Sequence, residues 1–217
     1  MDGRPCRGAS AGGVIVPAMD HGAMDGVRQA DPGDRGAVTA SVSAAFADDP
    51  AWSFLHGDDY HRLAPHFAGA LFDLRVDAGD VWVTGDRATA ALWEPPVGQR
   101  VSSSPSERVW GAYRALAGEP AWERLTEYER AVDAARPSTP YWYLGVLATR
   151  PDRQGTGLAT SVIAPILEKA DGDGIACCLE TSTLANKAFY ERRGFTEATE
   201  VHIASGPPTW WLRRAPR

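Results

Sequence analysis

Residues 141–159 read YWYLGVLATRPDRQGTGLA, an apolar run followed by a proline, two closely spaced glycines and the start of a helical pattern. The run 141–149 predicts a strand, and the residues after Gly157 predict a helix. Gly155 and Gly157 permit close backbone approach and unusual torsions, and the helix start beyond them offers unpaired N–H groups at the positive end of a dipole. This arrangement is an anion cradle, suited to a diphosphate. Two common phosphate-binding patterns do not fit it. A P-loop needs GlyLys followed by Ser or Thr, a triplet absent from the chain. The dinucleotide fingerprint would begin at Gly155 but has Thr160 where its last glycine belongs.

The rest of the chain reads outward from that stretch. Upstream, residues 27–30 predict a short strand, and 34–46 an amphipathic helix with Val38, Val42, Ala45 and Phe46 on one face. Residues 48–61, with Pro50, Gly57 and paired aspartates, read as a loop, and 63–73 as a second helix. Two alternating runs about a Gly85-Asp86 turn predict a hairpin over 81–93, ended by Pro95 and Pro96. Helices are expected over 104–117 and 121–135, with the segment Ser102 to Ser106 as a lid. Downstream, a helix to 170, a strand over 175–181, a helix over 186–192 and a final strand over 209–213 complete the pattern. Strands alternating with helices place the chain in the α/β (α+β) class, as one domain over 27–217. Residues 1–26, with only a short apolar patch broken by Pro17, are expected to be a disordered tail rather than a signal peptide.

Composition narrows the function classes. The chain has 217 residues, 44% hydrophobic and 23% charged, within the ordinary globular range and against disorder or a coiled coil. Its formal net charge of -6 is the wrong sign for neutralising nucleic-acid phosphates. No run of 18 apolar residues is present to span a membrane. Three cysteines, Cys6 and the adjacent Cys177 and Cys178, have neither a disulfide framework nor metal-ligand spacing, so a reduced cytoplasmic setting and no metal are expected. Cys177 and Cys178, in a strand, would point to opposite faces as small core residues.

Gln154, Gly157 and Ala159 form a QxxGxA motif that, with the preceding strand and proline, resembles the coenzyme A loop of the GCN5-related N-acetyltransferase (GNAT) superfamily. A second block, NKAFYERRGF over 186–195, is similar to that superfamily's last helix and turn. Within the superfamily the closer resemblance is to the puromycin N-acetyltransferases, through AAFADDP (44–50), VWV (81–83), RPDRQGTGL (150–158), LETS (179–182), FYER (189–192) and GPPTW (206–210). The resemblance implies a mixed central sheet splayed between two strands and flanked by helices, with acetyl-CoA as cosubstrate in the cleft. It implies direct acetyl transfer to an amine in a ternary complex.

Site residues follow from that likeness. It implies that Leu147, Ala148 and Thr149 meet the pantetheine and thioester end, while Arg153, Gln154, Gly155, Thr156, Gly157, Leu158, Ala159 and Thr160 surround the diphosphate. An N–H fixed toward a developing oxyanion would lower the barrier there by a few kcal/mol. Asn186 would contact the coenzyme, or else serve as a helix N-cap. Tyr190 is the candidate general acid for the departing thiolate, against a plain core role. Glu180, at a strand end beside the cleft, is the first candidate base and Glu94, ending the hairpin, the second; either could be a solvated strand end. An alkyl amine with a pKa of about 10.4 arrives protonated and needs such a base, whereas one with a pKa of about 7.7 is already partly neutral, so the need for a base depends on the acceptor.

Charge adds an independent indication. Residues 141–217 carry nine basic and eight acidic groups, so the negative balance of the chain falls on residues 1–140, which would wall the acceptor site. That suits a cationic amine. Trp52, Trp93, Trp110 and Trp142 are candidates for an aromatic slot, or else core anchors. The leading reading is thus N-acetylation of a small cationic amine, with puromycin resistance or self-protection as one instance, by a monomer or homodimer. The alternatives are acetylation of a protein N-terminus or lysine, and a non-catalytic acyl-CoA-binding module.

Overall fold

Strand β4, Tyr141–Thr149, is the axis around which the other elements are arranged in the computed structural model, which describes residues 26–96 and 104–217. On one side it pairs antiparallel with β3, Thr89–Glu94, along its length; on the other it pairs parallel with β5, Ala176–Thr181, only from Tyr141 to Tyr143. Beyond Tyr143 and Cys178 the two strands part, leaving a wedge in the middle of the sheet. Short strands β1, Arg28–Gln29, and β2, Val81–Val83, extend the β3 side. β6, Glu197–Val201, and β7, Thr209–Arg214, extend the β5 side, giving the order β1-β2-β3-β4-β5-β7-β6.

Two apolar layers cover this mixed sheet. Helices α1 (Arg35–Ala45), α2 (Pro50–His56), α3 (Tyr60–Asp73), α4 (Ser104–Ala117) and α5 (Glu119–Ala135) build one with the inner faces of β2, β3 and β4. Helices α6 (Leu158–Asp173) and α7 (Leu184–Glu191) build the other. Side-chain alternation assigns each strand residue: Cys178 enters the first layer and Cys177 the second, as their adjacency predicts. Both thiols are free and buried. In α1, Val38 and Val42 are fully buried one turn apart, with Ala45 and Phe46 packed partly against them. Each buried valine contributes about 1.5–3 kcal/mol.

The alternation in β4 is interrupted at Gly145. Leu92 pairs with Val146 and Trp93 with Leu144, so Gly145 is an extra residue, a bulge. Tyr143, Val146 and Ala148 therefore face the first layer, whereas Trp142, Leu144 and Leu147 face the second. Close packing favours glycine there: a Cβ would stand 3.0 Å from the Arg75 guanidinium and 3.2 Å from the Tyr143 ring, so one of them would have to give way.

Several elements depart from the sequence reading. Residues 50–56, expected within a loop, form α2, because the Asp49 carboxylate accepts from the N–H groups of Ala51 (2.9 Å) and Trp52 (3.1 Å) and Pro50 occupies the first helical turn. β6 was absent from the sequence pattern, since its first four residues are exposed and it is held as an edge strand by β7. α7 starts at Leu184 rather than Asn186, with Thr183 as its cap. Residues 1–25, nearly all of the expected tail, and 97–103, which include the start of the expected lid, lie outside the described residues.

Candidate functional site

The wedge presents backbone groups as a consequence of strand pairing. The Arg150 N–H donates to Ala88 O at 2.7 Å, which sets the antiparallel alternation: Val146, Ala148 and Arg150 turn their peptide groups toward β3. Leu147 and Thr149 turn theirs the opposite way, toward the wedge. The Thr149 carbonyl accepts from the Gln154 side-chain amide at 3.1 Å, which ties the following loop back to the strand.

That loop is built for open backbone donors. Pro151–Arg153 make one 3-10 turn, Thr156 Oγ1 donates to Arg153 O at 2.6 Å, and Arg153 pairs with Asp86 at 2.9 Å. Gly155 and Gly157 sit at φ +74° and +88°, and a Cβ on either would meet no described atom within 4 Å. The glycines are thus needed for torsion, and the space above them is open. α6 begins on Gly157 with no side-chain cap among the described residues, leaving the Leu158 and Ala159 N–H groups facing that space. Thr160 is engaged from below: its hydroxyl accepts from Arg193 Nε at 3.0 Å, and its N–H donates to Gly157 O. The 3.4 Å stacking of the Arg193 guanidinium on the Phe189 ring joins α7 to the start of α6. Asn186 lies exposed in the first turn of α7, its N–H donated to the Thr183 cap, so its side chain is not the N-cap. These donors suit an extended anion carrying a diphosphate and an amide-bearing arm.

On the first-layer side of the wedge lies a cavity of about 1290 Å³, walled by α2, α3, α4, α5 and the ends of β3, β4 and β5. Trp52, Trp93, Trp110, Trp122 and Phe67 line it, together with Asp73, Asp77, Asp80, Glu94, Glu129, Asp133 and Glu180. Among the described residues Arg75, Arg130 and Arg136 are the basic groups that oppose those acids, so the described lining is net negative. Trp142 and Trp93, both expected among the aromatic lining, pack in the second layer, although the fully buried Trp93 also borders the cavity.

Glu180 is the most perturbed of these acids. Burial pushes its carboxyl up to about 7, opposed by a hydrogen bond from Tyr143 and by Arg136, and reinforced by Glu129. The Tyr143 hydroxyl reaches both carboxylate oxygens, at 2.8 and 2.7 Å. A carboxyl poised near 7 exchanges protons efficiently at neutral pH. Glu94 differs: it is ion-paired with the buried Arg75, whose other side donates to Leu71 O at 2.8 Å. Glu129 is also raised, chiefly by burial, and faces Arg136 at 3.8 Å.

The structure thus divides the candidate residues. Glu180 and Glu94 share the cavity; Leu147 through Thr160 form the neighbouring loop and wedge; Tyr190 belongs to the second layer, edge-on to Phe195 at 5.7 Å. The Tyr190 phenol is held above its ordinary range by burial first and by the Glu180 charge second, so the two groups interact electrostatically across the wedge. Sequence reading missed Tyr143, Arg75, Glu129, Arg136 and Trp122. Tyr143 had one usable signal, its parity in a predicted central strand.

The chain matches the acetyltransferase (GNAT) domain family over residues 105–197, which contain the loop, the wedge, Glu180 and Tyr190. It is 25% identical over 179 residues to an uncharacterised N-acetyltransferase of Schizosaccharomyces pombe, covering 76% of this chain and 72% of that one. Among solved structures it resembles a protein described as a histone acetyltransferase and related acetyltransferase from Corynebacterium glutamicum, with a TM-score of 0.59, 20% identity and coverage of 88% and 96%. A polyamine N-acetyltransferase of Drosophila melanogaster has a TM-score of 0.56, 16% identity and coverage of 87% and 98%. These two likenesses are of fold. Among the described residues no helix is long and apolar enough to cross a membrane.

Proposed function

We propose, from the premise that this is a GNAT-family N-acetyltransferase, that it acetylates the amine of a small cationic molecule held in the acid-lined cavity, using acetyl-CoA in a ternary complex. The observation that carries the reading is Glu180: a carboxyl raised to about 7, at the junction of the cavity and the wedge. When bound, acetyl-CoA supplies the thioester whose acyl carbon an amine attacks.

The chain's own residues support that chemistry as follows. The open N–H groups around Gly157, Leu158 and Ala159 hold the diphosphate, and Gln154 secures the loop to Thr149. The Leu147 N–H, turned into the wedge, is the donor for the acyl oxygen as charge builds on it. Glu180 takes the proton from the ammonium, since an alkyl amine with a pKa of about 10.4 arrives protonated. Tyr190 Oη is the proton source for the departing thiolate. Glu94, committed to Arg75, is the weaker base candidate and instead adds negative charge to the acceptor wall.

The acceptor class follows from the lining. Net negative charge draws a cation, and Trp52, Trp110 and Trp122 offer faces to a flat body. Puromycin and other aminonucleosides belong to that class, with resistance or self-protection as the role. The buried reduced thiols Cys177 and Cys178 suit a cytoplasmic setting. A thiol-release assay with acetyl-CoA over puromycin, aminoglycosides, polyamines and peptides tests this. Turnover of a cationic small amine, with its KM rising with salt, is expected. Turnover of peptides alone would favour a protein acceptor, and no turnover on any amine would leave a coenzyme-binding module.

A further inference from the structure

Tyr143 is placed with unusual care for a residue of a central strand. Its ring lies between two partners: the Arg136 guanidinium stands 4.9 Å from the ring centroid, and the Trp211 indole stacks at 5.8 Å with an interplanar angle of 9°. Its hydroxyl reaches both oxygens of Glu180. Pairing explains why these groups meet. Tyr143 lies opposite Cys178 at the last paired position before the wedge opens, and Glu180, two residues on, lies on the same face and opposite Trp211 of β7. Arg136 enters from the end of α5, held by Asp133 at 3.1 Å and facing Glu129.

We infer that Tyr143 is a positioning residue for the base: its hydroxyl fixes the plane of the Glu180 carboxylate and stabilises the charged form, while Arg136 over the ring strengthens the phenol as a donor. This rests on the assignment of Glu180 as base. A single hydroxyl shared between both oxygens leaves their other lone pairs directed to the cavity, where an ammonium proton would be received. A cation above the ring polarises the O–H, making it a better donor. The charged and titratable groups facing Glu180 are Tyr143 from β4, Glu129, Tyr128 and Arg136 from α5 and its end, and Tyr190 from α7. Of these side chains, it is Tyr143 whose hydroxyl bonds the carboxylate directly.

The test is Tyr143→Phe, which keeps the ring and its stacking and removes only the hydroxyl. Loss of a hydrogen bond that favours the charged carboxylate should move the acidic limb of the kcat profile up by about one pH unit. With a limb near 7 in the parent protein, the variant loses about fivefold at pH 7 and recovers by about pH 9. The same amine is used for both proteins, so its own ionisation cancels. Isotope-edited infrared titration of the Glu180 carboxyl in the free protein reads the contact without turnover, and the same upward shift is expected. An unshifted carboxyl titration overturns the inference, as does a loss equal at every pH. A shifted titration with an unmoved kcat limb upholds the contact and overturns instead the assignment of Glu180 as base.

Discussion

Replacing Glu180 with Gln should make the protein more stable at alkaline pH, an outcome opposite to that of most substitutions at a buried polar site. The carboxyl is raised from 4.5 to about 7 in the folded protein. Below about pH 4.5 it is protonated whether folded or unfolded and imposes no charge penalty. As pH rises, the unfolded chain ionises first, so stability falls until the folded group has ionised too, near pH 7, and is level above that. A shift of about 2.5 units corresponds to about 3 kcal/mol at most, and screening by cavity water brings the expected effect to about 2 kcal/mol. Gln keeps an oxygen that can accept from Tyr143, so that bond survives. For a chain of this size the variant should melt about 4–8 °C above the parent at pH 8, with little difference at pH 4.5. Differential scanning calorimetry across that range measures the gap. A gap independent of pH, or a parent protein that gains on the variant as pH rises, would refute the argument that desolvation dominates at Glu180.

Three further outcomes are expected. Glu94→Ala strands the Arg75 guanidinium, which is 5% exposed, and should destabilise by about 3–5 kcal/mol in chemical denaturation, whereas Arg75→Met with Glu94→Gln restores most of that. Asp34 accepts from Arg28 (2.6 and 2.8 Å), Arg87 (2.8 Å) and the Asp31 N–H (3.0 Å), which hold its carboxyl well below the ordinary range. Its contribution, about 2 kcal/mol, is present above its unfolded pKa near 4 and lost as pH falls, so Asp34→Asn should lower the melting temperature at pH 7 and flatten the acid limb of the stability profile. Gly157→Ala introduces strain at φ +88° without a clash; it should cost about 1–2 kcal/mol and raise KM for acetyl-CoA while leaving acceptor KM unchanged, as steady-state kinetics would read.

Legibility in the sequence followed the range of the forces involved. β4 was read with its observed bounds because an apolar run, a proline and two glycines are local signals. The loop at 150–157 was equally local. α2 escaped because Asp49-Pro50 reads as a break, although the same pair caps a helix when apolar residues follow to be buried. β6 escaped because its residues carry no apolar period; only pairing with β7, aided by Glu197 and Arg213 at 2.6 Å, makes it a strand. At the site, Glu180 could be singled out by its strand position, but its environment could not. Tyr143, Arg136 and Trp211 converge on it from three other parts of the chain, and no spacing in the sequence encodes that meeting. Trp142 illustrates the converse: aromatic character was plain, but which layer it enters depends on its parity in β4.

The bulge at Gly145 acts on β4 much as a single-base insertion acts on a reading frame. Before it, odd-numbered Tyr143 faces the acceptor layer; after it, even-numbered Val146 and Ala148 do, and Leu147 and Thr149 are the residues whose peptide groups open into the wedge. Deleting that one glycine would bring Leu144 and Val146 together as neighbours, as their partners Trp93 and Leu92 already are on β3, so Val146, Leu147 and Ala148 and the amides offered to the wedge would keep their sides and only the local bend would go. Forcing Gly145 into the ladder as an ordinary strand residue would do the opposite, sending Val146 and Ala148 to the α6 side and Leu147 to the acceptor side. The faces of this strand thus depend on one residue staying out of register.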